Sequence, residues 1–432
     1  MEIFTGRACK SLIPYITVAA MLVSAVATAQ LPDTLSLTIN QAEKRFIDSN
    51  LQLLAAHYNV DAQKALIEQA KVWDNPVLNT DHVIAANGSF MPHGKLPDGS
   101  LNNQYFIQME QLIKTAGKRG KLINIATTNS KLSELQLQDV LRNLRYQLHI
   151  DYYTIARQLM NLSTLQEQQK QLSILLNGMQ AQFSAGNIAQ KELLRVQELQ
   201  ISLQQDITDL HKAIADNQAD LKSLLQIKDP VFVKPSDPLA VYLDLPDNLE
   251  NIIKTGIQSN PNYLLQQTTI LYQQQNLAYQ KALRVPDVTL SPNFDRNSNY
   301  APNYWGLGLS LPLPVFDKNK GNIKAVEFSI KQQQAITSDA ETGLTNDISN
   351  AYNKLSLTIA QNNATQKDFY EKYQTMFRNM FDSYQHKQIS LLEFLDFFND
   401  YTEIRQRLAQ QLLNLALAKE ELNYNVGSDV IK

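Results

Sequence analysis

In the stretch L-L-E-F-L-D-F-F-N-D, Leu391 to Asp400, three acids stand at intervals of three and four: Glu393, Asp396 and Asp400. On a helix that spacing puts all three carboxylates on one face, where they attract cations and repel one another unless water or bases offset them. The competing reading is an ordinary solvated helix face. No catalytic set accompanies the acids. There is no G-x-S-x-G, and the single cysteine, Cys9, lies in the first ten residues, which leaves the rest of the chain without a thiolate nucleophile, a cysteine zinc site or a disulfide framework. The histidines, His57, His82, His93, His149, His211 and His386, show neither H-E-x-x-H nor any paired ligand spacing. Met376 and Met380 are four apart and soft enough for copper or silver, but gap-filling in a helix seam is the favoured reading. A-G-K-R-G-K, Ala116 to Lys121, looks like a phosphate loop yet lacks the G-x-x-x-x-G-K-[ST] spacing. These residues point away from an enzyme, a cofactor and a resident metal.

Composition bounds the remaining classes. A chain of 432 residues with 44% hydrophobic content can bury a large core, while a net charge of −3 is not that of a basic nucleic-acid binder. The first 29 residues read as a signal peptide. Arg7 and Lys10 form its positive region, Leu12 to Val26 its apolar region, and Ala27-Thr28-Ala29 a small-residue cleavage site before Gln30. The other reading is an uncleaved anchor. No cysteine follows the cleavage site, so a lipoprotein anchor is not indicated. Nothing after Gln30 has the roughly 20 consecutive apolar residues of a spanning helix. The exported chain is therefore soluble beyond the inner membrane or held in a membrane by strands.

The acids belong to one of two long proline-free blocks. All fifteen prolines fall at or before Pro314, and none lies between Pro97 and Pro230. Within the blocks, Val196, Leu199, Leu203, Ile207, Leu210 and Ile214, and again Phe394, Phe397, Tyr401, Ile404 and Leu408, recur at helical spacing, the pattern of a coiled-coil seam. The blocks are copies. Gly120 aligns with Gly321, Ile188 with Ile389 and Glu192 with Glu393, each pair 201 residues apart. Each copy predicts a helix of about 60 residues, about 90 to 100 Å long, ending in a tight hairpin. The first tip is Ser184-Ala185-Gly186-Asn187, with Gly186 supplying the positive φ; the second, Gln385-His386-Lys387-Gln388, has no glycine, so one of its residues must accept that strain.

The duplication continues upstream. Thr38 to Ala56 matches Asp247 to Gln267, each a helix start with a Ser-Asn pair in its middle. A proline then ends each helix, Pro76 or Pro286, and two short strands follow: Val77 to Ile84 and Tyr105 to Ile113, then Val288 to Phe294 and Tyr304 to Leu313. Their alternation suits a membrane β-barrel, or else a small soluble β-domain on a helical stalk.

With these features the chain resembles the TolC family of outer-membrane efflux channels over essentially its whole mature length. The family's strand-to-helix junction is similar to Gly117, Lys118, Arg119 and Gly120 here. L-P-L-P-V-F-D-K-N-K-G-N-I, Leu311 to Ile323, which contains Lys320 and Gly321, is similar to the heavy-metal branch, the outer-membrane partners of cation-exporting RND pumps. The implied organisation is a signal peptide (1–29), a first repeat (30–228), a Pro-rich equatorial segment (229–246) and a second repeat (247–432). The resemblance implies a mainly α chain that forms a homotrimer in the outer membrane of a Gram-negative bacterium. Four strands per copy would close a twelve-stranded barrel, and the helices would continue it as a hollow cylinder through the periplasm. It also implies that Glu393 and Asp396, with Asp400 continuing their face, line a periplasmic gate, and that both tips, Ser184 to Asn187 and Gln385 to Gln388, dock a periplasmic adaptor and the inner-membrane pump. The implied function is a passive exit duct for substrates, metal cations among them. The alternatives are the exit channel of a type I protein-secretion system and a periplasmic coiled-coil scaffold without a pore. Lys114, Lys118, Arg119 and Lys121, echoed by Lys318, Lys320 and Lys324, read either as contacts to anionic outer-membrane lipid or as a solvated basic face.

Overall fold

A computed structural model describes residues 33–82, 84–86, 89–90, 105–239, 243–246, 248–297, 301–364 and 367–431. The expected signal peptide, Cys9, His93 and parts of the first strand loop and of the Pro-rich segment lie outside the described residues. The first half runs β1 (Thr34–Leu37), α1 (Ile39–Ser49), α2 (Leu51–Lys71), β2 (Val77–His82), β3 (Ala85–Ala86), β4 (Ser89–Phe90), β5 (Tyr105–Ile113), α3 (Lys118–Ser184) and α4 (Gln190–Leu224). After β6 (Phe232–Pro235) the second half repeats the scheme: α5 (Leu249–Ser259), α6 (Pro261–Ala282), β7 (Val288–Asn297), β8 (Pro302–Ser310), α7 (Lys320–Ala364), α8 (Lys367–Gln385) and α9 (Leu391–Val426).

The paired Ser-Asn motifs are structural clamps. Asn50 ends α1 and caps α2 by accepting from the backbone of Gln52 and Leu53, while its amide donates to the Leu224 carbonyl at the end of α4. Ser49 donates to the next carbonyl, Leu225. In the second half Asn260 caps α6 through Tyr263 and donates to Asn425, and Ser259 donates to Val426. One dipeptide thus fixes a helix start and satisfies carbonyls left open at a helix end. Gly427, at φ +81, closes α9 against this clamp so tightly that a Cβ there would stand 2.8 Å from the Asn260 Cα.

The expected long helix is continuous in the first half, where α3 runs 67 residues or about 100 Å. In the second half the corresponding length is described as α7 and α8. Leu144, Leu148, Tyr152, Ile155 and Leu159 of α3 occupy the core places that Leu344, Ile348, Tyr352, Leu355 and Ile359 occupy in α7, one residue short of the 201-residue correspondence at the tips. The second half therefore carries one extra residue between Ile359 and its tip.

β2, β5, β7 and β8 form one antiparallel sheet in that order, so the two expected strand pairs meet across the repeat boundary through β5 and β7. The spans differ modestly from expectation: β2 stops at His82, β7 runs to Asn297, and β8 begins at Pro302 and ends at Ser310. Trp305, Leu307 and Leu309 are 76%, 74% and 68% exposed on one face of β8. On the other, Gly306 lets Tyr304 and Asn293 close in, where a Cβ would meet them at under 3.0 Å. A parallel pair, β1 with β6, was not legible beforehand; it ties the start of the first repeat to the Pro-rich segment. Gly120 and Gly321 lie inside the first helical turns after the strands. Ala116, Gly117 and Asn319 take the positive φ at the junctions.

A buried ionic clasp joins α1, α3 and the end of α9. His149, 5% exposed, contacts Glu43 through Nε2 and Glu420 at 2.6 Å through Nδ1. Arg145 bonds Glu43 at 2.8 Å and reaches Asp429 with both guanidinium nitrogens at 2.9 Å. Burial disfavours charge on His149, but its two carboxylate partners outweigh this and raise its pKa. Burial likewise opposes ionised Glu43, yet His149 and Arg145 hold it down at about 2.

The signs of the two shifts give a pH window. Stability from Glu43 is present above its ordinary 4.5 and is lost as pH falls toward about 2. Stability from His149 is present below its ordinary 6.5 and is lost as pH rises through the raised value. The difference in thermal midpoint between the protein and His149→Gln is accordingly expected to be largest between about pH 4.5 and 6.5; a pH-independent difference would show that the clasp is not ionic. Gly186→Ala should cost about 1–2 kcal/mol through its left-handed backbone alone. Gly427→Ala should cost clearly more because of the Asn260 contact, and equal losses in thermal unfolding would contradict that packing.

Candidate functional site

Both hairpin tips use one backbone device. Gly186 donates to Phe183 and Asn187 to Gln182; Lys387 donates to Tyr384 and Gln388 to Ser383. These are the paired bonds of a Schellman ending, with Gly186 at φ +74 and Lys387 at φ +59 in the left-handed position. The residue expected to accept strain at the second tip is thus Lys387. All eight tip residues, Ser184, Ala185, Gly186, Asn187, Gln385, His386, Lys387 and Gln388, are exposed.

Beneath the tips lies a shared core of α3, α4, α8 and α9. Val196, Leu203 and Ile207 fill it as the helical spacing predicts. On α9 the seam is made by Phe394, Phe398 and Tyr401, so Phe398 takes a place that the spacing assigned in part to Phe397. Rings of α8 and α9 stack: Phe377 on Tyr401 at 4.1 Å and 13°, Tyr384 on Phe394 at 5.1 Å and 24°. Phe394 and Phe398 are each 2% exposed, a burial that stabilises by about 2–3 kcal/mol per ring.

Burying that face turns the acids outward. Glu393, Asp396 and Asp400 are all exposed on the opposite side of α9, as their spacing requires. Glu403 continues the face but pairs with Arg407, which ends the run of unbalanced charge. Glu393 also has a structural duty that its acidic neighbours lack. Its carboxylate accepts from the Ser390 backbone and hydroxyl at 2.8 Å each, and its own N–H donates to the Ser390 hydroxyl, completing a capping box. The Ser390 N–H and then its hydroxyl hold the Glu393 pKa below the ordinary value. Burial and then the nearby charge of Asp400 raise the Tyr373 pKa, and burial with Glu192 raises that of Tyr384. In the first half, Ala189 stands in place of Ser390 and caps nothing with its side chain, and Arg195 stands in place of Asp396.

The strand-to-helix junctions come out differently from the lipid-contact reading. Lys118 is buried, donating to Asp287 at 2.7 Å and to the Val285 carbonyl at 2.6 Å, so it holds the first half against the second and is not a lipid contact. Lys114 bonds Asp74, Lys121 bonds the Ala116 carbonyl, and Arg119 lies 4.7 Å over the Trp73 ring. Lys318, Lys320 and Lys324 are exposed, beside Gly321 at the start of α7. Met376 is 46% exposed and does not fill the seam within one chain, because Tyr373 and Phe377 occupy it. Among the described residues no group of three or more His, Cys, Asp or Glu side chains could hold a metal ion, and no helix is long and apolar enough to cross a membrane. The clasp around His149 escaped the sequence because its members are far apart in the chain; the Ser390-x-x-Glu393 cap did carry a readable signal.

Residues 44–225 and 256–428 match the protein family described as outer membrane efflux protein. The chain is similar to the cobalt-zinc-cadmium resistance protein CzcC of Cupriavidus metallidurans, with 23% identity over 331 residues that cover 75% of this chain and 74% of that protein. Among solved structures it is similar to CusC, with TM-score 0.71 and 16% identity, covering 90% of this chain and 92% of that one. It is also similar to the outer-membrane channel OprN, with TM-score 0.72 and 14% identity over 90% of each chain.

Ser390→Ala should lower stability by about 1 kcal/mol through the lost N-cap, read as a shift in thermal unfolding. Because the Glu393 pKa is lowered in the folded chain, its contribution is present above the ordinary 4.5 and lost as pH falls through the depressed value. The gap between Ser390→Ala and the parent should therefore narrow in acid. A gap that widens there would contradict the capping box.

Proposed function

Because the chain belongs to the outer membrane efflux protein family, we propose that it is the passive exit duct of a tripartite export system that carries metal cations among its substrates. It is an outer-membrane transport channel and not an enzyme. The observation that supports a trimeric duct is the four-stranded sheet standing on long helices, α3 about 100 Å, with β2 and β8 at its edges and a bare apolar face. In lipid, unpaired backbone groups cost several kcal/mol each, so an open sheet must close. Three copies supply twelve strands, and their helices continue the barrel toward the inner membrane.

The exposed tips at Ser184–Asn187 and Gln385–Gln388 then face the inner membrane, where a periplasmic adaptor and an RND-type pump deliver substrate. Glu393 and Asp396 of three copies bring six carboxylates around the narrow end, and Asp400 extends the charge inward. Such a ring attracts cations and is strained by self-repulsion until cations or bases offset it. The similarity to CzcC favours divalent metal cations as cargo.

Deleting the gene should sensitise the host to cobalt, zinc or cadmium, and unchanged tolerance to all three would remove metals from the cargo. In planar bilayers, Glu393→Gln with Asp396→Asn should weaken cation selectivity and block by multivalent cations. Glutamine still serves at the third position of a capping box, so the charge changes while the cap is kept. An unchanged reversal potential and unchanged block, with the trimer intact, would take these residues out of the gate.

A further inference from the structure

Where α3, α4 and α9 meet they form an open groove of about 490 Å³, within the roughly 300–1,000 Å³ of small-molecule sites. Its floor is apolar, set by Leu199, Leu203 and Phe398 of the tip core. Its rim is acidic and exposed: Asp206 and Asp209 come from α4 and Glu403 from α9. Lys212 answers Asp209 at 2.8 Å, and Arg407 answers Glu403. Asp206 has no ion pair among the described residues, and burial and then the charge of Asp209 raise its pKa. Of the three acids, one is therefore left without a base.

Asn161 of α3 points to a ligand independently of the acids. It lines the groove, is 7% exposed, and its amide makes no hydrogen bond among the described residues. Burying an amide without a partner is costly, so such a group calls for something that supplies one. The repeat shows which bond is missing. Asn362, 201 residues from Asn161, accepts from the Gln411 amide at 3.3 Å. The counterpart of Gln411 is Leu210, which also lines the groove and cannot donate. The counterpart of Asp206 is Arg407, so the excess charge, like the open amide, belongs to the first half alone. Neither feature is required by the helical scaffold that both halves share.

We propose that this groove binds an organic monocation with an apolar body, which rests on Leu199, Leu203 and Phe398, donates an N–H to the Asn161 carbonyl oxygen and sets its charge beside Asp206. The site goes beyond the metal cargo and the acidic ring of the duct proposed above. A metal ion is the poorer match, because among the described residues no group of three His, Cys, Asp or Glu side chains could hold one. The leucine and phenylalanine floor offers such an ion no donor atom, whereas an apolar body gains by leaving water there. The single unanswered carboxylate matches a single positive charge.

The test uses the purified protein in nonionic detergent with proflavine, a flat aromatic monocation carrying N–H donors, read by fluorescence anisotropy against a detergent blank. Saturable binding at one site per chain is expected. Asp206→Asn should weaken it by about tenfold. Asn161→Leu should weaken it comparably with every charge kept. Asp216→Asn removes an exposed acid of the same helix outside the groove and should leave binding unchanged. Asp206 is exposed and asparagine keeps its shape, so that variant reads the site even where Asn161→Leu fails to fold. Absence of saturable binding would overturn the proposal and leave Asn161 to water. Equal weakening by Asp206→Asn and Asp216→Asn would overturn it by making the dye a reporter of surface charge. Displacement by MgCl2 beyond that by NaCl at equal ionic strength would overturn it in favour of hydrated divalent cations.

Discussion

The structure depends on a backbone constraint: a four-stranded antiparallel sheet has two edges, and hydrocarbon offers no water to satisfy them. Among the described residues neither edge of this sheet is paired, because the strand order β2-β5-β7-β8 leaves the first strand at one side and the last at the other. Closure by copies sets demands on everything below. Helices that leave the sheet must continue its circumference, which requires similar lengths and matched hairpin tips. Internal duplication meets both demands with one design used twice. The clamp at each Ser-Asn pair shows how closely the copies are held to it, since Asn50 and Asn260 make the same cap and tie down the same end of the returning helix.

Duplication alone would make every seam alike, and alike seams confuse partners. A chain whose first half could pair equally well with its own second half or with another's would have competing assemblies. The clasp of Glu43, His149, Glu420, Arg145 and Asp429 sits in the α3–α9 seam within one chain, and the matching positions Ser349, Ala219, Thr345 and Lys228 cannot rebuild it. Buried ion pairs contribute little net stability, because desolvation offsets most of their attraction, but mispairing them leaves charges buried without partners. The clasp therefore penalises any pairing of α3 with a surface that lacks Glu420 and Asp429.

Much of this was legible in the residues, and the failures have physical reasons. Helical spacing located Val196, Leu203, Ile207, Phe394 and Tyr401 in the tip core because long amphipathic helices repeat their signal many times. The 201-residue correspondence held at both tips, where Gly186 and Lys387 make the same bonds. It slipped by one residue in mid-helix, since a helix tolerates an added residue by rotating its face, and that leaves no mark in a glycine alignment. β1 and β6 were missed because four-residue strands carry two alternations at most and Pro235 reads as a breaker. Lys118 was taken for a surface base, although its Nζ bonds Asp287, a partner 169 positions away that local spacing cannot reveal. Gly120 and Gly321 align across the repeat, and the positive φ at each re-entry falls on neighbours, Gly117 and Asn319.

At Glu393 one carboxylate ties the backbone at the start of α9 and still stands exposed on the helix face. At the second tip Lys387 holds a left-handed turn without the freedom of glycine, and the chain immediately follows with a full capping box at Ser390 and Glu393. The first tip has Gly186 and no side-chain cap, and there Glu192 stands with Arg195 in place of two acids. The tip with the costlier turn has the better-tied helix start. That tie also fixes the Glu393 carboxylate on the first turn of α9 through its Oε2. Its position follows from the backbone, so the charge is delivered at a defined place without packing around it. Asp396 and Asp400 need only the helix to stand on the same face. Because the first tip carries a base at the matching position, the unbalanced negative charge near the tips of one chain lies on α9.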